Sequence, residues 1–460
     1  MEETSREIVE QKFAKQSAFF ATHQTKEIDF RLANLKKLKQ VVLDNEENIK
    51  QALWEDLHKS PEEAYLTEIN IVVSEIDHHI KNIKKWAKPK KVSTPLQLQP
   101  SSSKIIYEPL GIALIVAPWN YPFQLLINPL VGAISAGCCA ILKPSPDTPK
   151  IAKLMEAMIA DTFISDYITV VQGGRETNTR LLAQPFDLMF FTGSSKVGKV
   201  VMKAASEHLS KVILELGGKS PCIVDADADI DIVAKRIAWG KLINAGQTCI
   251  APDYLFAHKS IKDELLNKIA ENISAMYGEN LKESRFYPRI VNDSAFERLT
   301  GLLNAGTIHT GGELDAKERF FPPTIIDDVQ PGFKIMQEEI FGPILPVLSF
   351  GDIEEAVDYI NRNPKPLALY YFGKTKNAEE VLSKTTSGGA CINDVLMHIT
   401  NHNLPFGGVG NSGLGSYHGK ESFIAFSHKR AVVTTPTWID IPFKYIPFKH
   451  FELVKKFVLG

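Results

Sequence analysis

Cysteine is scarce. The 460-residue chain has five, Cys138, Cys139, Cys222, Cys249 and Cys391, and no two of them form a CxxC pair. That spacing excludes a structural zinc site and a disulfide framework, and no bound metal is expected. An odd count in a long chain fits free thiols in a reducing compartment. An excess of one charge is missing as well: 52 basic residues meet 54 acidic ones, for a net charge of −2. Near-neutrality removes the phosphate attraction on which nucleic-acid binding rests, so no nucleic-acid partner is expected. Long hydrophobic runs are absent; the longest, at 112–118, falls far short of the ~20 apolar residues that span a bilayer. The opening MEETSREIVEQKF lacks the apolar stretch of a signal peptide. These absences lead to the expectation of a cytoplasmic location.

What is present is core-forming material. Apolar residues make up 44% and charged residues 23%, the proportions of a globular protein and not of a disordered chain. Residues 1–88 read as helical, with Phe30, Leu32, Leu35, Leu38, Val41 and Val42 at helical spacing. Breaks at Lys88-Pro89, Thr94-Pro95 and Gln99-Pro100 enclose a short, partly alternating β-excursion. From residue 110, apolar runs at 112–118, 138–143, 167–172, 188–192, 211–216 and 221–224 alternate with helix-forming segments. A second alternating stretch runs over about 230–415, with strands near 253–257, 344–349, 368–372 and 390–392. Runs apolar on both faces, separated by helices, predict an α/β fold with parallel sheets covered on both sides.

Some residues in these runs could carry chemistry. The segment LMFFTGSSKVGKVVMKAA reads as strand, turn and helix, with Gly193 and Gly198 bracketing the turn and Ser194 or Ser195 as the helix cap. Such a turn receives a pyrophosphate, but the spacing is not GxGxxG, so an ordinary tight turn stays equally open. Cys138, Cys139 and Cys222 lie within apolar runs and Cys391 within GGACIND; all four read as buried hydrophobes. Cys249 differs, because Asn244, Gly246, Gln247 and Thr248 around it are small or polar, so its thiol can face a cleft. Glu215 interrupts VILELGG and either faces solvent or sits in a site, where burial would raise its pKa toward that of a general base. Asn120 is a turn residue before Tyr-Pro, or a donor at the carboxyl end of the first sheet strand, where open α/β sheets bind ligands. Lys143 ends the second strand and, taken alone, is a solvated lysine.

The strings PWNYP, ILKPS, FFTGSSKVG, ELGGKSP, GQTC, EEIFGP and PFGGVGNSG occur in that order. Together they resemble the aldehyde dehydrogenase superfamily, and GQTCIAPDY, NHNLPFGGVGNSGLGSYHGKESF and FSHKR resemble its class 3 branch of fatty- and aromatic-aldehyde enzymes. The likeness covers about residues 5–435. It implies that Cys249 is the nucleophile, Glu215 the general base and Asn120 the oxyanion-hole amide. Lys143 and Glu339 would hold the two riboses of a dinucleotide, with Phe341 beside the nicotinamide and Gly193, Ser194 and Gly198 at the pyrophosphate turn. Tyr65, Tyr121, Trp239 and His428 match positions near the substrate funnel.

The resemblance further implies a Rossmann-like cofactor domain over 1–80 and 108–210, a catalytic α/β domain over 211–415, and a β oligomerisation element of 81–107 with 416–437. It implies a homodimer, and NAD(P)-dependent oxidation of medium-to-long aliphatic or aromatic aldehydes to acids through a thiohemiacetal and a thioester. Many NAD-preferring relatives carry a glutamate after the KPS-like segment; here Pro146 and Asp147 follow, so NAD use with NADP tolerated is expected. Glu215 argues against a CoA-acylating enzyme. The intact trio argues against a silent binding protein, and Lys143 and Glu339 against a cofactor-free esterase. The tail, 438–460, carries IPFK twice; Pro442 and Pro447 prevent one continuous helix. A short helix after Pro447 would put Phe448, Phe451, Val454, Phe457 and Val458 on one face. It is expected to dock on the dimer at the funnel rim, with weak peripheral membrane contact as the alternative.

Overall fold

A computed structural model describes residues 2–440 and 442–456. The chain opens with α1 (Arg6–Ala21), α2 (Ile28–Asp44), α3 (Glu46–Leu57), α4 (Pro61–Ala64) and α5 (Asn70–Trp86). The spacing predicted for α2 holds: Leu35, Leu38 and Val42 are buried. Ser60 caps α4 by accepting from the Glu63 N–H, with Pro61 in the first turn, where its fixed φ suits a helix start.

The excursion follows as β1 (Lys90–Val92) and β2 (Ser102–Pro109). Next come β3 (Ile112–Val116), α6 (Gln124–Ala136), β4 (Cys139–Lys143), α7 (Pro149–Thr162), β5 (Ile168–Val170), α8 (Arg175–Leu182), β6 (Leu188–Gly193), α9 (Ser195–Ser206) and β7 (Lys211–Leu216). The second stretch runs β8 (Pro221–Val224), α10 (Ile230–Leu242), β9 (Tyr254–His258), α11 (Lys262–Tyr277), α12 (Asp293–Thr300), β10 (Thr307–Thr310), β11 (Thr324–Asp327) and β12 (Ile344–Phe350). It continues as α13 (Ile353–Arg362), β13 (Ala368–Phe372), α14 (Thr375–Lys384) and β14 (Gly389–Ile392). Last come β15 (Gly413–Leu414), α15 (Lys420–Ala425), β16 (Ser427–Thr434) and α16 (Phe451–Val454).

Among the described residues the strands form three sheets. The first has the order β15-β7-β6-β3-β4-β5, parallel except for β15. The second has the order β10-β11-β12-β9-β8-β13-β14, antiparallel only at β10. The third is β1-β2-β16, in which Ser427 to Thr434 pair antiparallel with Pro109 to Ser102. In the first two sheets the central strands are buried along nearly their whole length, the pattern of parallel strands covered on both faces. The α/β fold read from the apolar runs is the one observed.

Three details differ from the sequence reading. The division at residue 210 separates β7 from β6, although Leu188–Gly193 pairs with Lys211–Leu216 strand to strand; the sheets divide after Leu216. Strands β10 and β15 carry no apolar run: one reads Thr-Ile-His-Thr and is exposed, and the other is two residues inside a glycine-rich loop. In the tail, Pro442–Lys444 form one tight turn and α16 is a single turn. Phe448 and Phe451 are exposed, and Phe457 and Val458 of the expected stripe lie outside the described residues. Among the described residues no helix is long and apolar enough to cross a membrane.

Candidate active site

After α10 the chain turns sharply. Asn244, Ala245 and Gly246 all have left-handed φ, at 53°, 52° and 73°. A Cβ on Gly246 would lie 2.3 Å from the Gly342 carbonyl oxygen, so glycine is required there. Gln247 then braces the segment. Its Nε2 donates to the carbonyls of Asn244 and Arg289 at 3.0 and 3.1 Å, and its Oε1 accepts from the Val291 N–H at 3.0 Å. This delivers Cys249, half-buried, to the meeting point of two cavities.

The larger cavity, about 470 Å³, is walled by Leu66, Trp239, Met276, Phe286, Met397 and Phe406 among others. The other, about 350 Å³, is lined by Trp119, Asn120, Gly193, Ser194, Glu339 and Phe341. Leu125, Thr192, Glu215, Leu216 and Cys249 line both. The thiol is thus reachable from an apolar side and from a second side that carries more polar groups, the polar side of the pair.

Glu215 faces this junction from β7. It is 3% exposed, and neither carboxylate oxygen has a hydrogen-bond partner among the described residues. Burial pushes its pKa well above the ordinary carboxylate value. Burial likewise pushes the Cys249 thiol up to about 12, and the nearby carboxylates of Glu339 and Glu215 add to the shift. Burial therefore favours the protonated form of both groups.

Asn120 lies on the loop between β3 and α6. Its side-chain amide donates to the Gln247 carbonyl at 2.9 Å and so leans on the cysteine segment. An ion pair absent from the sequence reading holds this loop. Lys59 and Glu68 are both fully buried, Nζ to Oε1 2.5 Å. Lys59 also donates to the Asn120 carbonyl at 3.2 Å, and the other Glu68 oxygen accepts from the N–H groups of Phe123 and Gln124 at 2.9 and 3.2 Å. Nothing local signals this pair, since the two residues stand nine apart across a helix start at Pro61. Glu63 is a second missed carboxylate. It lines the larger cavity, accepts from the Asn244 N–H at 2.7 Å, and is pushed up to about 7 by burial.

On the polar side Ser194 caps α9, its hydroxyl accepting from the Val197 N–H at 3.4 Å. Gly193 and Ser194 line the cavity, but Gly198 does not reach it. A Cβ on Gly198 would meet the Leu216 side chain at 2.7 Å, so this glycine seats α9 against β7 and is not part of the turn itself. Phe341, at φ 50°, meets Trp119 edge-on with centroids 5.3 Å apart. Glu339 has an orphaned buried oxygen and is pushed up to about 8 by burial. Its other oxygen lies so close to Gly217 that a Cβ there would be 2.0 Å away. Lys143 is buried at the end of β4, donates to the Pro144 carbonyl at 2.8 Å, and is lowered to about 8 by burial. It lines neither of the two cavities. A helix N-terminus, an unsatisfied carboxyl oxygen and an aromatic pair around one cleft fit a dinucleotide that presents phosphate, hydroxyls and a flat ring. Among the described residues no cluster of three His, Cys, Asp or Glu side chains could hold a metal.

Two of the four expected funnel residues are brought to the larger cavity: Tyr121, whose hydroxyl meets Thr248 Oγ1 at 2.6 Å, and Trp239. Tyr65 and His428 are not. The one-turn π-helical stretch 65–69 puts Leu66 and Thr67 on the wall, while the Tyr65 ring is exposed beneath Lys50. His428 sits on β16 opposite Glu108, on the exposed side of the third sheet.

The chain matches the aldehyde dehydrogenase family over residues 1–432. It is 48% identical over 454 residues to the 4,4'-diaponeurosporen-aldehyde dehydrogenase of Staphylococcus aureus, covering 98% of this chain and 99% of that one. The aldehyde dehydrogenase family 3 member A2 of Macaca fascicularis is 46% identical, over 89% of this chain and 85% of its own. The dimeric NADP-preferring aldehyde dehydrogenase of Canis lupus familiaris is 43% identical, over 92% and 94%. A solved structure of the substrate-bound state of Staphylococcus aureus AldH superposes with TM-score 0.96 at 47% identity, over 98% of this chain and 99% of that chain. A cysteine-bearing turn set between an apolar and a dinucleotide-fitting cavity agrees with these matches: the chain belongs to the aldehyde dehydrogenase family, resembles its class 3 branch, and is an NAD(P)-dependent oxidoreductase acting on aldehydes.

Proposed function

We propose that the enzyme oxidises medium-to-long aliphatic or aromatic aldehydes to carboxylic acids by covalent catalysis at Cys249. The observation that carries this reading is that Cys249 and Glu215 line the apolar and the polar cavity at once. The aldehyde's apolar portion lies against Trp239, Met276 and Phe286, with its carbonyl at the sulfur. Cys249 gives its proton to solvent water as Sγ bonds to the carbonyl carbon. The oxygen, now anionic, takes a hydrogen bond from the Asn120 amide; losing such a donor typically costs ~10²–10³ in rate. Gly193, Ser194, Glu339 and Phe341 would hold NAD(P) on the polar side, where it would supply the acceptor for the hydride that leaves the Cys249-bound carbon as its carbonyl re-forms to a thioester. Glu215, once ionised, takes a proton from water as the water oxygen bonds to the thioester carbon. The C–S bond then breaks, the acid leaves, and the thiol recovers its proton. NAD is the working cofactor and NADP is accepted.

The cofactor domain comprises 1–80 and 108–216 and the catalytic domain 217–415, with the third sheet as the oligomerisation element. The homodimer reading is supported by the exposed Val200 and Met202 on α9, at 55% and 51%, and by a relative described as dimeric. A monomer in sedimentation at micromolar concentration would contradict it. The location is cytoplasmic. Among the described residues none of the tail lines its own chain's cavity, and Trp438 and Ile446 are 76% and 82% exposed. We assign it to the rim of the dimer partner's funnel, and membrane contact is the alternative. Truncation after Thr437 should weaken turnover of hexadecanal and spare octanal; equal effects on both would remove the rim role, and liposome binding lost with the tail would favour the membrane.

The reaction is tested by absorbance growth from reduced cofactor with octanal, hexadecanal, benzaldehyde and 4,4'-diaponeurosporen-aldehyde, with and without CoA. Turnover independent of CoA supports hydrolysis. An absolute CoA requirement would convert the reading to acyl transfer.

A further inference from the structure

Beside Lys143, where β4 and β5 end, sits a carboxylate that arrives from the far start of the chain. Strands β4 and β5 run side by side, Leu142 opposite Val170, and the Val171 N–H donates to the Leu142 carbonyl at 2.9 Å. The Gln172–Gly174 segment therefore leaves its strand beside Lys143. Into this segment fits Glu3. One of its carboxylate oxygens accepts from the N–H groups of Gly174 and Thr177 at 3.0 and 2.8 Å and from the Thr177 hydroxyl. A Cβ on Gly173 or Gly174 would stand 3.0 or 2.7 Å from a Glu3 oxygen, so the two glycines make room for the carboxylate. Thr4 secures it: its N–H donates to Thr177 Oγ1 at 2.9 Å, its hydroxyl to the Gln172 carbonyl, and its carbonyl accepts from Arg180 at 2.6 Å.

We propose that Glu3 is a specificity-determining residue for the cofactor, disfavouring a dinucleotide that carries a 2′-phosphate. The inference rests on the reading above that Lys143 serves the adenosine ribose. The position Glu3 fills, the N-terminus of α8 beside a lysine, is where an incoming phosphate would otherwise find N–H donors and the helix dipole. With a carboxylate already seated there, a second anion meets like charge and finds the Gly174 and Thr177 N–H groups already taken. A ribose with plain hydroxyls meets neither difficulty. The hydrogen bonds from Thr177 hold the Glu3 carboxyl down to about 2, so its charge persists at every working pH. Of the charges acting on Lys143, that of Glu3 is the largest, ahead of Asp147. The negative charge that Pro146 does not provide after the KPS segment is thus supplied by residue 3.

The test is the ratio of dissociation constants for NADPH and NADH, read by nicotinamide fluorescence in the full-length enzyme. Glu3→Gln keeps an oxygen for Gly174 and Thr177 but removes the charge, and Glu3→Lys reverses it. The account expects the NADPH/NADH ratio to fall about tenfold in Glu3→Gln and further in Glu3→Lys, with the wild-type ratio shrinking as salt rises. The same order should appear for 2′-phospho-AMP against AMP as displacers. A ratio within twofold of wild type in both variants would overturn the proposal. Failure of the wild-type enzyme to bind NADH at all would instead reject the cofactor reading on which it rests.

Discussion

The two cavities that meet at Cys249 are assembled in opposite ways. The polar one is built from short contiguous strings at strand ends and turns: Trp119–Asn120 after β3, Gly193–Ser194 after β6, Glu338 to Phe341 before β12. The apolar one gathers side chains from more segments, spread farther along the chain, among them Leu66, Tyr121, Trp239, Met276, Phe286 and Met397. A phosphate or ribose needs backbone donors and a fixed turn, which local sequence must specify. An alkyl chain needs only a shaped apolar wall, which many side-chain sets can provide. Chemistry is therefore concentrated in a few local motifs and substrate shape is spread over the fold.

This contrast has consequences that can be broken. Cys249→Ala should abolish dehydrogenation, by about 10⁴-fold or more, while NADH binding is retained, because the thiol enters the reaction and does not build the turn at Gly193. Residual turnover near wild type would reject the nucleophile. Loss of NADH binding would show that the two cavities are not separable.

The next effect is structural. Lys59→Met should destabilise the fold by about 3–5 kcal/mol, since it strands the buried Glu68 charge, and should lower kcat through the Asn120 loop. The paired Lys59→Met, Glu68→Leu variant should recover most of the stability in urea unfolding. It should not recover kcat, because the contacts from Glu68 to the Phe123 and Gln124 N–H groups are gone. Full recovery of kcat would mean that the pair is structural only.

The sequence carried the α/β alternation because buried parallel strands must be apolar on both faces, as in the runs that became β3, β4, β6 and β13. It carried Cys249, Glu215 and Asn120 because each sits in a contiguous motif that resembles a known family; the structure places Cys249 and Glu215 at the junction and Asn120 on the wall of the polar cavity. What it did not carry was held by long-range geometry. Lys59 and Glu68 become partners only when α4 and α5 pack against the loop before α6. Tyr65 looked like a wall residue, but a π-helical turn rotates Leu66 into that place. His428 lies on an exposed strand face of the third sheet. Glu3 meets α8 across a separation of more than 170 residues, which no local pattern announces.

A smaller effect comes from the carboxyl at the junction. Burial raises the pKa of the Glu215 carboxyl in the folded state, whereas in the unfolded chain it ionises near its ordinary value of 4.5. The unfolded state therefore binds fewer protons as pH rises above that value, and Glu215 makes the fold progressively less stable. Glu215→Gln should melt at a higher temperature than wild type, by little at pH 5 and by more at pH 8. A gap that narrows toward pH 8 would mean that the Glu215 carboxylate is stabilised in the fold. The same proton-holding environment at Cys249 and Glu215 predicts that kcat/KM climbs as pH rises above neutrality; a profile that falls across that range would contradict it.

The central claim is that Cys249 carries the acyl group while Glu215 releases it. Intact-mass spectrometry of Glu215→Gln mixed with octanal and NAD tests this most directly. The account predicts one burst of reduced cofactor and a stable octanoyl adduct that maps to Cys249 and is absent from Cys249→Ala. A variant that turns over at the wild-type rate with no adduct, or an adduct on another residue, would contradict it.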